Sequence, residues 1–252
     1  MRNLLHRSKD SIKKAIRYAT SPFILGDYYA FKKARGSERF SVNPEDFYPC
    51  IKDKTITTGF DRHYVYHTSW AARVVKDLNP EYHVDISSSL FFCGIVSAFV
   101  PVHFYDYRPA DLRLSDLKTK EGDLHNLPFE KESVKSISCM HTLEHIGLGR
   151  YGDPIDPEGD LKAIKSLKSV VAKDGSLLIV VPIGKPKIEF NAHRIYSYEQ
   201  IISYFVDENM YLQEFSYIPE FESEGGLMRN ADPKLSESAH YACGCFWFKK
   251  KA

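Results

Sequence analysis

From residue 82 onward, short apolar and β-branched segments alternate with amphipathic segments that have helical periodicity. This alternation is typical of β-α-β units around a parallel sheet. The predicted strands lie near residues 82–86, 102–106, 117–121, 135–140, 176–182, 211–218 and 240–248. The predicted helices lie near residues 88–98, 142–146, 156–172 and 197–206. The expected fold class is therefore α/β, with a Rossmann-like, doubly wound, mostly parallel sheet.

Local signals place the ends of several helices. Gly175 predicts a C-cap for the helix over 156–172, and Ser197 with Gln200 predicts a capping box. A further helix over 61–78, ending at Asn79-Pro80, is expected to cover the sheet. One face of that helix carries Tyr64, His67, Ala71 and Val74. Residues 221–239 are predicted as a surface loop.

Composition places the chain among ordinary globular proteins, because 43% of its 252 residues are hydrophobic and 27% are charged. No segment approaches the ~18 uncharged apolar residues of a membrane span. The five cysteines lack CxxC spacing, and the N-terminus lacks an apolar signal segment. We therefore expect a cytoplasmic protein that does not cross a membrane.

Charge is distributed unevenly along the chain. Residues 1–40 carry ten Lys/Arg and three Asp/Glu, whereas the remainder carries 24 and 30. This predicts a basic helical N-terminal extension over residues 1–60 and a single α/β domain over residues 61–252. A basic helix containing Leu5, Ile12 and Ile16 fits an anionic membrane surface or a partner. The alternative is a solvated helix packed on the domain. No nucleic-acid partner is expected, and the oligomeric state stays open.

The carboxyl ends of the predicted strands are the places where ligands bind in a doubly wound sheet. They carry Asp85, Asp106, Asp123, His141 and the loop 183–194. Asp106 follows Asp85 by 21 residues, close to the ~20-residue offset at which an acidic residue binds a cofactor ribose. The alternative for Asp106 is an aspartate that forms a turn or caps a helix.

Three segments carry a resemblance to a known family: Gly122–Phe129, the strand that runs into Leu143-Glu144-His145, and residues 172–182. They are similar to the class I S-adenosylmethionine-dependent methyltransferases, over roughly residues 82–218. The resemblance implies S-adenosylmethionine as cofactor, with the ribose on the acidic residue after the second strand. The implied cofactor-binding residues are Asp85, Ser87, Ser88, Asp106, Asp123, Leu124 and His141.

More narrowly, residues 141–157 and 190–196 resemble a bacterial family of unassigned function, commonly encoded among genes for surface-polysaccharide assembly. The segment Trp70-Ala71-Ala72-Arg73 before the first strand belongs to the same resemblance. It implies a sugar or sugar-linked acceptor, methylated on oxygen.

The loop after the first strand departs from the methyltransferase pattern. Where that family has Asp/Glu-x-Gly-x-Gly-x-Gly, this chain reads Asp85-Ile86-Ser87-Ser88-Ser89-Leu90. Because serine disfavours positive φ, we expect either an ordinary helix-capping course or a cofactor that sits differently. Backbone N–H groups and serine hydroxyls remain able to bind a carboxylate. The missing glycines also leave open a degenerate fold that acts as an assembly partner.

Methyl transfer to a neutral hydroxyl requires a base, and the catalytic candidates are His145, then His193, with His141. Six further residues on the same rim are candidates for contact with the acceptor: Glu144, Arg150, Tyr151, Asp153, Asn191 and Arg194. For Arg194 the alternative is a structural ion pair. For the loop 147–157, the alternative is a connection between elements without a role in binding.

Metal binding is not expected. His141-x-x-Glu144-His145 fits the H-x-x-E-H zinc pattern, but it follows directly on a strand and meets Gly147 within two residues. A metal-dependent transferase or hydrolase, with an ion on His141, Glu144, Asp153 or Asp156, is the remaining enzymatic alternative. Cys243 and Cys245 are assigned to packing. His63 and His67 are interpreted as surface residues of their helix, with capping of the cofactor as the alternative.

Overall fold

The computed structural model describes residues 22–34 and 39–252, which divide into two compact units between Gly59 and Phe60. In the first unit, helix α1 (Pro22–Ala34) is followed by a 3₁₀ turn over Pro44–Asp46. The ring of Tyr28 packs edge-on against Phe47, with 5.6 Å between centroids. The basic helix predicted around Ile12 lies outside the described residues, and an extension over residues 1–60 stays a prediction.

The second unit is built on one large sheet. Its strands are β1 (His83–Ile86), β2 (Val102–Asp106), β3 (Leu117–Glu121), β4 (Val134–Met140), β5 (Val171–Ile183), β8 (Met210–Ile218), β9 (Met228–Arg229) and β10 (Ala242–Lys250). Their order is β3-β2-β1-β4-β5-β10-β8-β9. The first five are parallel, and β10 lies antiparallel between β5 and β8. Two short strands, β6 (Lys187–Glu189) and β7 (His193–Ile195), form a separate hairpin.

Four helices accompany this sheet: α2 (Arg62–Leu78), α3 (Leu90–Val96), α4 (Gly159–Val170) and α5 (Tyr198–Phe205). They contribute to two separate apolar clusters. Trp70 of α2 and Phe92 of α3 pack with Leu178 and Val180 of β5. The second cluster, on the other face of the sheet, joins α4 and α5 to Leu177, Ile179 and Val181 of β5. The predicted α/β class is thus confirmed, because a central strand buried on both faces is the mark of a doubly wound sheet.

The predicted starts of α2 and α5 agree with the structure, whereas α3 and α4 begin two and three residues later than predicted. Asp61 is the N-cap of α2, where its side chain accepts a hydrogen bond from the N–H of Tyr64. That helix ends at Asn79, which adopts a left-handed conformation. Ser197 and Gln200 form the complete capping box of α5. Among the described helices, none has the length and apolar character that crossing a bilayer demands.

The predicted C-cap at Gly175 is wrong, because α4 ends at Val170 and β5 begins at the next residue. Val171 pairs with Val134 of β4. Burial of these β-branched side chains extends β5 toward its N-terminus. The register then shifts, and Asp174 turns to φ 58°. A side chain at Gly175 would place a Cβ 2.7 Å from the carbonyl oxygen of Ala172. Gly175 therefore lies at an irregularity within β5, where a side chain would not fit.

Two other predictions need smaller corrections. The helix predicted over 142–146 is a 3₁₀ turn of three residues, Leu143–His145. The predicted loop 221–239 contains β9 and two 3₁₀ turns, Glu222–Glu224 and Pro233–Ser236.

Candidate active site

The loop Ser87–Ser89, here called the serine loop, joins β1 to α3 at the carboxyl edge of the sheet. Ser87 adopts φ 55°, the left-handed conformation for which the methyltransferase pattern uses glycine. Its N–H donates to the carbonyl of Tyr105 on β2 at 2.8 Å, and the Met140 N–H donates to the hydroxyl of Ser88 at 3.0 Å. Bonds to both neighbouring strands thus offset a strain of roughly 1–2 kcal/mol. Of the two courses left open, the ordinary helix-capping one is followed only in part: Ser89 is the N-cap residue of α3 but makes no side-chain cap bond, and Ser87 takes the left-handed conformation instead.

Asp85 lies beneath the serine loop and is fully buried. Its carboxylate accepts from the N–H of Ser88 at 3.0 Å and from the Ser138 hydroxyl. Burial raises the pKa of Asp85 to about 6. The predicted direct contact between Asp85 and a cofactor is corrected, because no surface of this side chain reaches solvent. Asp85 supports the serine loop instead.

The bonds of Asp85 continue into the core through His83. Its two ring nitrogens lie 2.8 Å from the Ser136 hydroxyl and 2.9 Å from the Ser138 hydroxyl. Burial lowers the pKa of His83 to about 3, so the ring is neutral at pH 7. This polar chain fixes β1 to β4 directly below the serine loop.

Asp106 ends β2, next to the serine loop, and is half-buried. One carboxylate oxygen accepts from the N–H of Arg108 at 2.7 Å, which is the turn-forming role considered as the alternative. The other oxygen has no hydrogen bond within the described chain. Asp123 forms a similar turn, accepting from the His125 N–H at 2.9 Å, while Leu124 is buried in the core.

Beside the serine loop, five side chains form what we call the histidine pocket: His63, His67, His141, Glu144 and Cys243. His141 directly follows β4 and adopts φ 53°. Its Nδ1 lies 2.8 Å from Oε1 of Glu144, and its Nε2 lies 3.6 Å from Sγ of Cys243. The centroid of the His141 ring is 5.5 Å from that of His63 and 4.9 Å from that of His67.

Sequence reasoning missed the contribution of Cys243, which lies 102 positions from His141. It also treated His67 as a surface residue, whereas His67 is fully buried. The signal available in the sequence was the placement of His67 on the apolar face of its helix. Nothing local indicated that β10 returns beside β5 and carries Cys243 to the end of β4.

The ionisation states in the histidine pocket differ sharply. Burial, with a smaller contribution from His141, lowers the pKa of His63 to about 4. Burial likewise lowers the pKa of His67 and raises that of the Cys243 thiol. Burial also opposes a charge on His141, but Glu144 and Cys243 together outweigh it and raise the pKa of His141. His141 is therefore the histidine of this cluster whose cationic form is favoured.

His145 occupies the next position on the rim. Its Nδ1 lies 2.7 Å from the carbonyl oxygen of Ala192. Since a carbonyl only accepts, we assign the hydrogen to Nδ1 and the lone pair to Nε2. A guanidinium nitrogen of Arg150 also lies 3.2 Å from Nδ1, and Nε2 lies 3.8 Å from Oε1 of Glu144. Burial lowers the pKa of His145, although Glu144 opposes the shift. His193 is half-buried, with its ring 6.4 Å from that of His145, and its Nε2 is 3.3 Å from Glu189.

The loop 147–157 covers the strand ends and is organised by Asp153. The Asp153 carboxylate accepts from the N–H groups of Gly147 at 2.8 Å and Tyr151 at 3.2 Å. Burial opposes its ionisation, but these bonds lower the pKa of Asp153. Gly147 has φ 79°, and a Cβ there would lie 2.0 Å from the carbonyl oxygen of Asp156. The predicted acceptor contact of Asp153 is thus corrected to a role in holding this loop.

Arg194 also holds the ends of the loop 147–157 in place. Its guanidinium donates to the carbonyl of Ile146 at 2.6 Å and that of Pro157 at 3.2 Å, and it faces Asp160 at 3.5 Å. The structural alternative for Arg194 therefore replaces the predicted contact with an acceptor, because its donors are already satisfied inside the protein.

The remaining rim residues are accessible. Tyr151 is 44% exposed, with the guanidinium groups of Arg108 and Arg150 at 4.9 and 5.2 Å from its ring centroid. Arg150 also donates to the Ala192 carbonyl at 2.8 Å. Asn191 is exposed in the turn between β6 and β7. These side chains form the outer wall beside His145.

Comparison with family models gives one match. A model described as "Caenorhabditis protein of unknown function, DUF268" matches residues 112–234. That description contains neither a bacterial source nor a polysaccharide setting, which the narrower resemblance had implied. No curated protein matches this chain.

Solved structures similar to this chain include a chain of the complex between the Haloferax volcanii Trm112 methyltransferase activator and a putative methyltransferase. It is 14% identical, with 76% of this chain and 91% of that chain covered and a TM-score of 0.51. The N-methyltransferase NodS from Bradyrhizobium japonicum, in complex with S-adenosylhomocysteine, is 12% identical, with 73% and 86% covered and a TM-score of 0.51. A putative sarcosine dimethylglycine methyltransferase from Galdieria sulphuraria is also 12% identical, with 73% and 84% covered and a TM-score of 0.50. The second unit of this chain therefore has the fold of the class I S-adenosylmethionine-dependent methyltransferases.

Proposed function

We propose that this chain is an S-adenosylmethionine-dependent methyltransferase. The observation that carries the proposal is the serine loop, which keeps the left-handed turn at Ser87 without glycine. Maintaining φ 55° at a serine requires compensation from the surrounding structure, and the hydrogen bonds to β2 and β4 supply it. Such strain is typical of a loop that approaches a ligand closely.

One group at this rim fits the cofactor. The oxygen of Asp106 that makes no hydrogen bond is suited to accept from the ribose hydroxyls. The Ser88 hydroxyl accepts from Met140 and is hydrogen-bonded to the buried Asp85 carboxylate, so it supports the loop beside this group. When bound, S-adenosylmethionine supplies an electrophilic methyl group.

His145 is the proposed general base. Its Nδ1 hydrogen is held by the Ala192 carbonyl, which fixes the ring and leaves Nε2 to take the proton of an acceptor hydroxyl. The lowered pKa keeps Nε2 unprotonated at neutral pH. His193, whose ring lies 6.4 Å away, is the second candidate.

The proposed acceptor is a hydroxyl of a sugar or sugar-linked molecule in surface-glycan synthesis, handled in the cytoplasm. This part of the proposal is supported by the motif resemblance over residues 141–157 and 190–196. An exposed aromatic ring flanked by two guanidinium groups at Tyr151 is compatible with a polar or anionic acceptor.

The test has two stages. Purified chain is titrated by calorimetry with S-adenosylmethionine and S-adenosylhomocysteine, and micromolar binding of both is expected. Transfer of a radiolabelled methyl group is then measured against nucleotide sugars and glycan fragments. Absence of binding to both cofactor forms contradicts the proposal and favours a degenerate fold that acts as an assembly partner. Binding with transfer only to nitrogen acceptors retains the methyltransferase and overturns the sugar acceptor.

A further inference from the structure

Three side chains of the histidine pocket bring possible metal ligands together. One donor atom each from His63, His141 and Cys243 lies within 4.8 Å of the other two. The residues come from the first turn of α2, the end of β4 and the start of β10. We propose that these three residues bind one zinc ion. These three residues are different from the proposed cofactor contacts in the serine loop and at Asp106, beside which they lie.

The spacing of two of the donors fits a single tetrahedral ion, and the third lies within 4.8 Å of both. With Zn–N of about 2.0 Å and Zn–S of about 2.3 Å, a nitrogen and a sulfur on one tetrahedral zinc lie about 3.5 Å apart. The distance from His141 Nε2 to Cys243 Sγ is 3.6 Å. The pair therefore already has the separation that a shared ion would impose.

Glu144 orients the central ligand. Its Oε1 accepts the Nδ1 hydrogen of His141 at 2.8 Å, so Nε2 faces the sulfur, and zinc would replace the proton that Nε2 carries in the cationic ring. A carboxylate behind a histidine ligand is the usual second layer of a zinc site. Glu144 is 1% exposed, and this burial holds the carboxylate in place.

Two buried atoms beside the donors provide an independent observation. Within the part of the chain that the structure describes, Nε2 of His67 and Oε2 of Glu144 are buried without a hydrogen-bond partner. His67 Nδ1 lies 2.6 Å from the carbonyl of His63, so Nε2 of His67 carries a lone pair. A buried polar atom without a partner costs about 1–3 kcal/mol. Both residues contact His141, so these unpartnered atoms lie beside the proposed ligands.

The types of donor atom in this cluster indicate which metal would bind. One thiolate with two imidazoles favours zinc over magnesium or calcium, which prefer oxygen ligands. Three protein ligands leave a fourth position for water or an acceptor oxygen, as in catalytic zinc sites. This set differs from the H-x-x-E-H pair, because His145 has its Nδ1 on the Ala192 carbonyl and contributes nothing to the cluster.

The test uses cobalt(II) and zinc(II) alone, without any cofactor or acceptor, so its outcome is independent of methyl transfer. The chain is stripped with a chelator and titrated with cobalt(II), whose bond to a thiolate absorbs in the near ultraviolet. We expect one equivalent of cobalt, this absorption band, and displacement by zinc. Absence of cobalt binding in the folded wild-type chain overturns the proposal.

Variants separate the ligands from their surroundings. Cys243→Ser should abolish the thiolate band. His63 is half-buried in the first turn of α2, and His63→Gln should weaken cobalt binding at least 100-fold. Glu144→Gln should weaken it 10–100-fold through the orientation of His141. The matched controls Cys245→Ser, two residues along the same strand, and His103→Gln should bind cobalt as the wild type does. Persistence of the band in Cys243→Ser, or its loss in Cys245→Ser, contradicts the assignment.

Discussion

The serine loop and the histidine pocket lie side by side at the same edge of the sheet, but they are built differently. The serine loop is held mainly by backbone groups of adjacent strands, such as the N–H of Met140 and the carbonyl of Tyr105. The histidine pocket is formed by side chains from three distant segments and contains buried atoms without partners. The serine loop is therefore a scaffold whose polar groups are paired, whereas the histidine pocket keeps buried polar atoms without partners, Nε2 of His67 and Oε2 of Glu144.

The largest effect expected in this region is on turnover. His145→Ala should lower turnover by about 10²–10⁴, because it removes the proposed base, while affinity for S-adenosylhomocysteine is retained. The measurement is kcat with an active acceptor, with His103→Ala as the control. Full turnover in His145→Ala combined with inactivity of His193→Ala would reverse the two roles.

A variant of Asp106 tests whether the cofactor binds next to the serine loop. Asp106→Ala should weaken S-adenosylhomocysteine binding by about 2–4 kcal/mol, since it removes hydrogen bonds to a charged acceptor. Calorimetry provides the measurement. Asp111, an exposed aspartate paired with Arg113 on the following segment, supplies the control variant Asp111→Ala. Equal affinities of the two folded variants would exclude Asp106 from the site.

The pH dependence of stability tests the scaffold below the serine loop. Asp85 has a raised pKa of about 6 in the folded chain, against an ordinary value of 3.8. Between these values the folded chain binds more protons than the unfolded chain, so this contribution to the free energy of unfolding falls as pH rises. Relative to Asp85→Asn, the wild type should lose on the order of 3 kcal/mol between about pH 4 and 6.

Urea unfolding of both proteins across that pH range measures the difference. A difference that is independent of pH would mean that Asp85 ionises normally in the folded chain, and the buried chain from Asp85 to His83 would then be wrongly described.

The smallest expected effect concerns Ser87. Ser87→Gly relieves the left-handed strain and should raise the free energy of unfolding by about 1 kcal/mol or less, because the flexibility of glycine in the unfolded chain offsets part of the gain. Cofactor affinity should be unchanged. Ser87→Val should destabilise the chain, since a β-branched residue tolerates positive φ poorly. Thermal unfolding of the two variants checks both directions, and a stable Ser87→Val would show that the turn is not constrained.

Local signals account for the parts of the structure that were predicted. The strand positions followed from apolar runs such as 176–182, and the α5 capping box from Ser197 and Gln200. Asp106 was placed at a strand end by the segment 102–106, and its spacing from Asp85 suggested the ribose contact. These features depend on residues close together in the chain, where pattern and geometry coincide.

The failures have a common physical cause in long-range packing. β5 starts early because Val171 pairs with Val134 of β4, which no local C-cap signal contains. The donors of Arg194 are satisfied by the carbonyls of Ile146 and Pro157, which meet it only in the folded chain. Cys243 reaches His141 through the position of β10 beside β5. The resemblance to known methyltransferases indicated the rim but carried no information on these contacts.

The most direct test of the central claim is the position of S-adenosylhomocysteine in a crystal structure of its complex with this chain. The account predicts ribose hydroxyls within hydrogen-bond distance of the Asp106 carboxylate, the carboxylate of the ligand at the serine loop, and its sulfur on the side of His145. A ligand bound elsewhere, or a serine loop that moves away from Tyr105 to admit it, would contradict the account.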